Sequence, residues 1–211
     1  MSLTSEPNQP SSGPYRAWLL DLDGTLYASS PVKIAMVIEI LLSGGWPVIR
    51  VIHCFRRQHE ELRRQDGRPE GNPYRRQVAA TAARLGLDAH NVEAMVEEWL
   101  IRRPAKWITV FRRRALLTQV RGFKAQGGHV AVVSDYPARY KLRHLQLLDC
   151  VDAIVASGED SSPSQLKPWP EGCLIAARLL DVPPHECLVI GDRIDTDGAA
   201  ARQAGMGFKH V

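Results

Sequence analysis

LLDLDGTLYAS, residues 19–29, ends an apolar run on two carboxylates one residue apart and follows them with Gly24 and Thr25. Carboxylates that close repel each other unless something cationic lies between them. The stretch is therefore either a solvated Asp-Gly turn or the end of a buried strand whose acids serve a metal ion and a chemical step. What surrounds it decides between the two.

Short apolar runs of the same kind recur downstream of a long interruption: HVAVVS (129–134), AIVAS (153–157), CLVIGD (187–192) and GFKHV (207–211), alongside AWLL (17–20). Each is of strand length, and their apolarity is continuous rather than alternating, as in parallel strands covered on both faces. Helical patterns lie between them: RYKLRHLQLL (139–148), PEGCLIAARLL (170–180) and TDGAAARQAG (196–205). Thr196 near the start and Gly205 after the end of the last are helix-boundary signals. The alternation predicts an α/β fold, a Rossmann-like doubly wound parallel sheet, whose working site lies beyond the carboxyl ends of the strands.

Residues 31–115 read differently. PVKIAMVIEILLSGG, PYRRQVAATAARLGL, HNVEAMVEEWL and VFRRRALLTQV have helical spacing, and RRQDGRPEGNPYRR (63–76) reads as a loop. The expected organisation is a flexible tail over 1–14, a core domain from 15–30 and 116–211, and an all-helical domain inserted at 31–115. Charge separates the two modules: residues 50–114 hold fifteen Lys and Arg against eight Asp and Glu, whereas the whole chain is only +4. At 211 residues the chain can bury one full core plus a modest insertion. Cys54, Cys150, Cys173 and Cys187 form no C-x-x-C pair, which argues against a zinc or redox motif. The polar start lacks a secretion signal, and no apolar run approaches a membrane span, so a cytoplasmic chain with no membrane partner is expected.

If the sheet is parallel, the strand ends gather Asp21 and Asp23, Ser134 and Asp135, Lys167, and Asp192 with Asp195 and Asp197 on one edge. That set suits a hard cation plus an anion. LLDLDGTLY, VVSDYP, LKPWPEG and VIGDRIDTDGAAARQAGM, in this order, resemble the four motifs of the haloacid dehalogenase (HAD) superfamily, in its phosphatase branch with a helical cap between the first and second motifs. The resemblance implies that Asp21 is a nucleophile forming an aspartyl-phosphate. It implies Mg2+ held by the side chains of Asp21 and Asp192 and by the backbone carbonyl of Asp23. Asp23's side chain is then the general acid and base. Ser134, Lys167 and backbone N–H groups near Gly24 and Asp135 bind the phosphoryl group, with Asp197 orienting Lys167 or a metal-bound water.

An Asp at position 23 also points to a phosphate ester, since dehalogenases and phosphonate-cleaving members of the superfamily depart there. Caps of this kind imply a small phosphorylated metabolite, phosphoglycolate-like or sugar-phosphate-like in class. A phosphosugar mutase stays open, because mutases share the motifs. A basic nucleic-acid-binding module with a vestigial site is the reading from another class; nucleic acid is not expected, since Glu interleaves the cap's arginines. Those arginine pairs read as solvated faces more readily than as substrate contacts. Trp46, Trp99 and Trp107 read as packing residues, His53 and His59 as helix-surface or packing residues, and Asp195 as part of a solvated turn.

Overall fold

The computed structural model describes residues 15–65, 67 and 70–211. The expected tail at 1–14 lies outside them. Five strands, β1 (Ala17–Leu20), β2 (His129–Ser134), β3 (Ala153–Ala156), β4 (Cys187–Gly191) and β5 (Gly207–His210), form one sheet in the order β3-β2-β1-β4-β5. Every pairing is parallel. Alternate residues of each strand enter different packing layers: Leu20, Val130, Val132 and Ile190 in one, Ala17, Leu19, Ala131, Val133, Val155 and Val189 in the other. Burial on both faces is why these strands carry unbroken apolar runs. Helices α8 (Glu171–Leu179) and α9 (Ala199–Gln203) pack with the second layer; α6 (Arg114–Ala125) and α7 (Arg139–His144) pack with the first.

The strand order places the site. From β1 the chain moves outward through β2 to β3, then returns to place β4 on β1's other side, so the order reverses between β1 and β4. A doubly wound sheet has its crevice at such a reversal, outside the carboxyl ends. Leu20 faces both Val132 and Ile190, and the Asp21 N–H donates to the Ile190 carbonyl at 2.9 Å. Asp21 is therefore the first residue past the sheet at its reversal point.

Between β1 and β2 the described residues form helices and turns: α1 (Ser29–Glu39), α2 (Gly45–Arg63), α3 (Pro73–Leu85), α4 (Ala89–Val96), α5 (Pro104–Val110) and α6. Asn72 caps α3 by accepting from the Tyr74 N–H, and Gly86 ends it in the left-handed region. Widened turns at Ile40–Gly44 and Glu97–Arg102 follow α1 and α4.

Three sequence readings need correction. PYRR (73–76) begins α3 instead of closing a loop, because Pro73 sits at its first turn, where no donor is lost. Trp46 is 70 % exposed, so it is not a packing residue, whereas Trp99 is buried. Helical structure from Ser29 to Arg63 is long and apolar enough to cross a membrane by length and composition alone. The apolar run was missed because Lys33, Glu39 and Gly44–Gly45 interrupt it in sequence.

Candidate active site

Asp21 is buried, and both its carboxylate oxygens are held: Lys167 Nζ donates to Oδ1 at 2.5 Å and the Thr25 hydroxyl to Oδ2 at 2.8 Å. Lys167, itself buried, also donates to Asp197 Oδ1 at 2.6 Å and to the Val133 carbonyl at 3.2 Å. One ammonium thus bridges the ends of β1, β2 and β4. Asp197 Oδ2 accepts from the Arg193 N–H at 3.1 Å, which folds the turn after β4 back towards the sheet. Gly191 permits that approach, since a Cβ there would lie 2.5 Å from the Asp197 side chain. Gly24 does the same on the other side. Its φ is +105°, and a Cβ would lie 2.1 Å from Asp192 Oδ2.

Asp21, Asp192 and Asp197 each present a carboxylate oxygen, all within 4.8 Å of one another. When all three carboxylates are ionised, they exceed the one ammonium of Lys167 by two charges. Burial, opposed by Lys167 and reinforced by Asp197, pushes the Asp21 carboxyl from its ordinary 3.8 up to about 7. Asp192 is raised as well, by burial and then by Asp197. Burial works against the charge on Lys167, but Asp21, Asp197 and Asp135 outweigh it and hold the ammonium above its ordinary range. Oxygen donors with an uncompensated charge of this size fit a hard divalent cation. The residues present therefore suit the magnesium that the motifs imply. Of the expected ligands, Asp21 and Asp192 belong to this cluster, Asp197 joins it, and the Asp23 carboxylate turns elsewhere.

That carboxylate faces a cavity of about 350 Å³. It accepts from Lys141 Nζ at 2.6 and 2.8 Å and from the Tyr27 hydroxyl. Burial, then the charge of Asp23, raises the Tyr27 phenol well above its ordinary range, so it stays a donor. Ser134 is buried at the end of β2, and its hydroxyl oxygen accepts from the Tyr136 N–H at 3.2 Å. The Asp135 carboxylate is already engaged: Oδ1 accepts from the Lys167 N–H at 3.1 Å and Oδ2 from Arg63 at 2.7 Å. Burial opposes its ionisation, yet the neighbouring cations hold it well below the usual carboxylate range. His59 Nε2 stands 3.8 Å away, beyond hydrogen-bond reach, so Lys167 and Arg63 carry that effect.

Arg63 is therefore a contact between the inserted helices and the core, not a solvated face. His59, stacked on Tyr136 at 4.5 Å between ring centres, is a second. Thr25, Tyr27, Arg63 and Lys141 are site residues that the sequence reading did not assign. Lys141 left a trace: it sits among the buried apolar residues Ala138, Leu142 and Leu145, which run from one end of α7 to the other. Asp195 lies on the surface, paired with Arg193, as expected of a turn residue.

A family model described as haloacid dehalogenase-like hydrolase matches residues 15–205. The chain is 30 % identical over 195 residues to the phosphoglycolate phosphatase of Xanthomonas campestris pv. campestris (strain 8004), covering 90 % of this chain and 80 % of that protein. It is 27 % identical over 191 residues to the N-acetylmuramic acid 6-phosphate phosphatase of Pseudomonas aeruginosa, over 90 % of this chain and 78 % of the other. The crystal structure of 2-haloacid dehalogenase from Pseudomonas syringae pv. Tomato DC3000 superposes with a TM-score of 0.63 at 17 % identity, covering 92 % of this chain and 85 % of that one, a likeness of fold alone. With its four motifs gathered at the sheet's reversal point and a family match along nearly the whole described chain, this protein belongs to the haloacid dehalogenase-like hydrolases.

Proposed function

We propose that the protein is a magnesium-dependent phosphatase that hydrolyses a small phosphate monoester through an aspartyl-phosphate on Asp21. The observation that carries this reading is the pairing of one buried ammonium with three converging carboxylates, Asp21 being fixed at both oxygens. Asp21 and Asp192, with the backbone carbonyl of Asp23, would hold magnesium, which would supply the positive charge that lets a phosphate dianion approach a carboxylate. Asp21 attacks phosphorus and the ester P–O bond breaks, while Asp23 gives its proton to the departing oxygen. Asp23 then takes a proton from the water that attacks the aspartyl-phosphate, releasing inorganic phosphate and restoring Asp21. Lys141 and Tyr27 position the Asp23 carboxylate at the cavity; Lys167 neutralises charge on Asp21 and the phosphoryl group. Ser134 and backbone N–H groups near Gly24 and Asp135 bind phosphoryl oxygens, and Asp197 orients Lys167.

Residues 31–115 act as the cap, and Arg63 and His59 hold it against the core. Arg56, Arg63 and Lys141 give the cavity a cationic side, and Val32, Met36, Ile52 and Trp99 an apolar one. Arg63 Nε is buried without a hydrogen-bond partner, so this N–H is available to an acidic group on the leaving fragment. A phosphorylated hydroxy acid or acidic sugar phosphate fits that lining, in keeping with the two phosphatase relatives. The test is a panel of such esters with a generic aryl phosphate, each assayed with magnesium and with a chelator. Magnesium-dependent phosphate release that Asp21→Asn abolishes is expected; release undiminished by the chelator or in the variant would overturn the assignment.

A further inference from the structure

The outer side of α1 is apolar and uncovered. Ile34, Val37, Ile38, Leu41 and Leu42 are 64, 54, 52, 67 and 81 % exposed, at i, i+3, i+4, i+7 and i+8, and exposed Trp46 follows. An amphipathic helix ordinarily turns one such stripe inward. Here Val32 and Met36 already supply the inward stripe, so this helix is apolar on two sides. A contiguous patch of this kind on a soluble domain marks a docking surface.

We propose that this face docks on an anionic lipid bilayer, lying on the surface rather than spanning it. Gly45, with φ +67° and ψ −175°, breaks the path between α1 and α2. The stretch from Ser29 to Gly44 therefore reaches only about 24 Å, against a hydrocarbon core of about 30 Å. It also carries Lys33 and Glu39. An apolar face with a tryptophan at its end and cations beside it is the pattern of an interfacial helix.

Charge selects the occupant. Lys33, Arg50, Arg56 and Arg57 pair with no carboxylate among the described residues. Trp46, Arg50, His53 and Arg57 follow one another at helical spacing along the exposed side of α2. Glu39 is the one acid between positions 29 and 57, and it is already held by Lys106 at 2.7 Å and by the Trp107 indole N–H at 2.6 Å. A second copy related by a two-fold axis would bring the same cations together with no free acid to meet them. Anionic headgroups meet them directly. Lys33, Val37 and Ile40 also line the cavity that Asp23 faces, so the bilayer lies beside its mouth.

The test is flotation of the full chain with vesicles of phosphatidylcholine alone and of phosphatidylcholine with about 30 % phosphatidylglycerol. Binding to the anionic vesicles at least about tenfold tighter than to the neutral ones is expected, weakening as salt rises. The double variant Leu41→Asp/Leu42→Asp should lose at least about tenfold in binding. Arg50→Glu/Arg57→Glu should lose the preference for anionic vesicles. Both variants should keep the wild-type melting curve and turnover of a soluble aryl phosphate, which separates a failure of docking from a failure of the phosphatase reading. Absence of flotation, or equal binding to both vesicles, overturns the proposal. So does a concentration-dependent dimer that Leu41→Asp/Leu42→Asp dissociates, because the face then belongs to a second copy.

Discussion

Replacing the nucleophile should make the metal-free protein more stable while making it inactive. In the chelated protein, Asp21 ionises only near pH 7, against 3.8 when unfolded. A carboxyl whose pKa is raised by folding binds its proton more tightly in the native state, so its contribution is fully present below about pH 4. It is lost as pH rises towards 7. The interval from 3.8 to about 7 corresponds to about 4 kcal/mol at ~1.36 kcal/mol per pH unit. Asp21→Asn removes that loss. That figure already contains the attraction of Lys167, whose ammonium Asp197 still holds at 2.6 Å when the charge on Asp21 is gone. At pH 8 in chelator the variant should therefore be more stable than wild type by up to about 4 kcal/mol, with the advantage gone at pH 4. Urea denaturation at pH 4, 6 and 8 reads the difference directly. Millimolar magnesium should reverse the order, since only the wild type retains the full carboxylate set and gains stability by mass action. A variant no more stable than wild type at every pH in chelator would refute the view that the acids are held together against their own repulsion.

Three further outcomes follow from the same geometry. Gly24→Ala places a Cβ against Asp192 at a backbone angle that L-residues rarely adopt; it should cost about 1–3 kcal/mol and weaken magnesium binding at least about tenfold by calorimetry. Arg63→Met leaves Asp135 buried with one cation fewer, so urea denaturation should show a loss of about 3 kcal/mol; a change under about 0.5 kcal/mol would mean that the contact is not held in solution. Lys141→Met frees the Asp23 carboxylate, and kcat should fall at least about tenfold with KM nearly unchanged, whereas a rise in KM alone would assign Lys141 to substrate binding.

The sheet was legible because parallel strands covered on both faces leave a continuous apolar signal that little else produces. AWLL and HVAVVS coincide with β1 and β2 residue for residue. Carboxylates directly after such strands could only gather at one edge, which is why Asp21, Asp192 and Asp197 were foreseeable together. Arg63 and Asp135 are 72 residues apart, and Lys141 and Asp23 are 118. Pairs so distant leave no periodic mark, and an arginine in a charged helix reads as solvated whatever it meets. Trp46 misled for the opposite reason: an aromatic residue in a helical pattern signals burial, and only the packing of α1 and α2 shows that side to be bare.

The strand order also has a consequence for how the molecule assembles. β1 lies at the centre of the sheet, yet its partners begin at His129 and Cys187. A chain leaving the ribosome therefore carries its central strand unpaired while all the inserted helices are made, and those helices, built from nearby contacts, can form before the sheet does. The strand that closes the second side of β1 is the one that brings Asp192 and Asp197, so neither the core nor the reactive edge is finished until the chain has been made past Asp197.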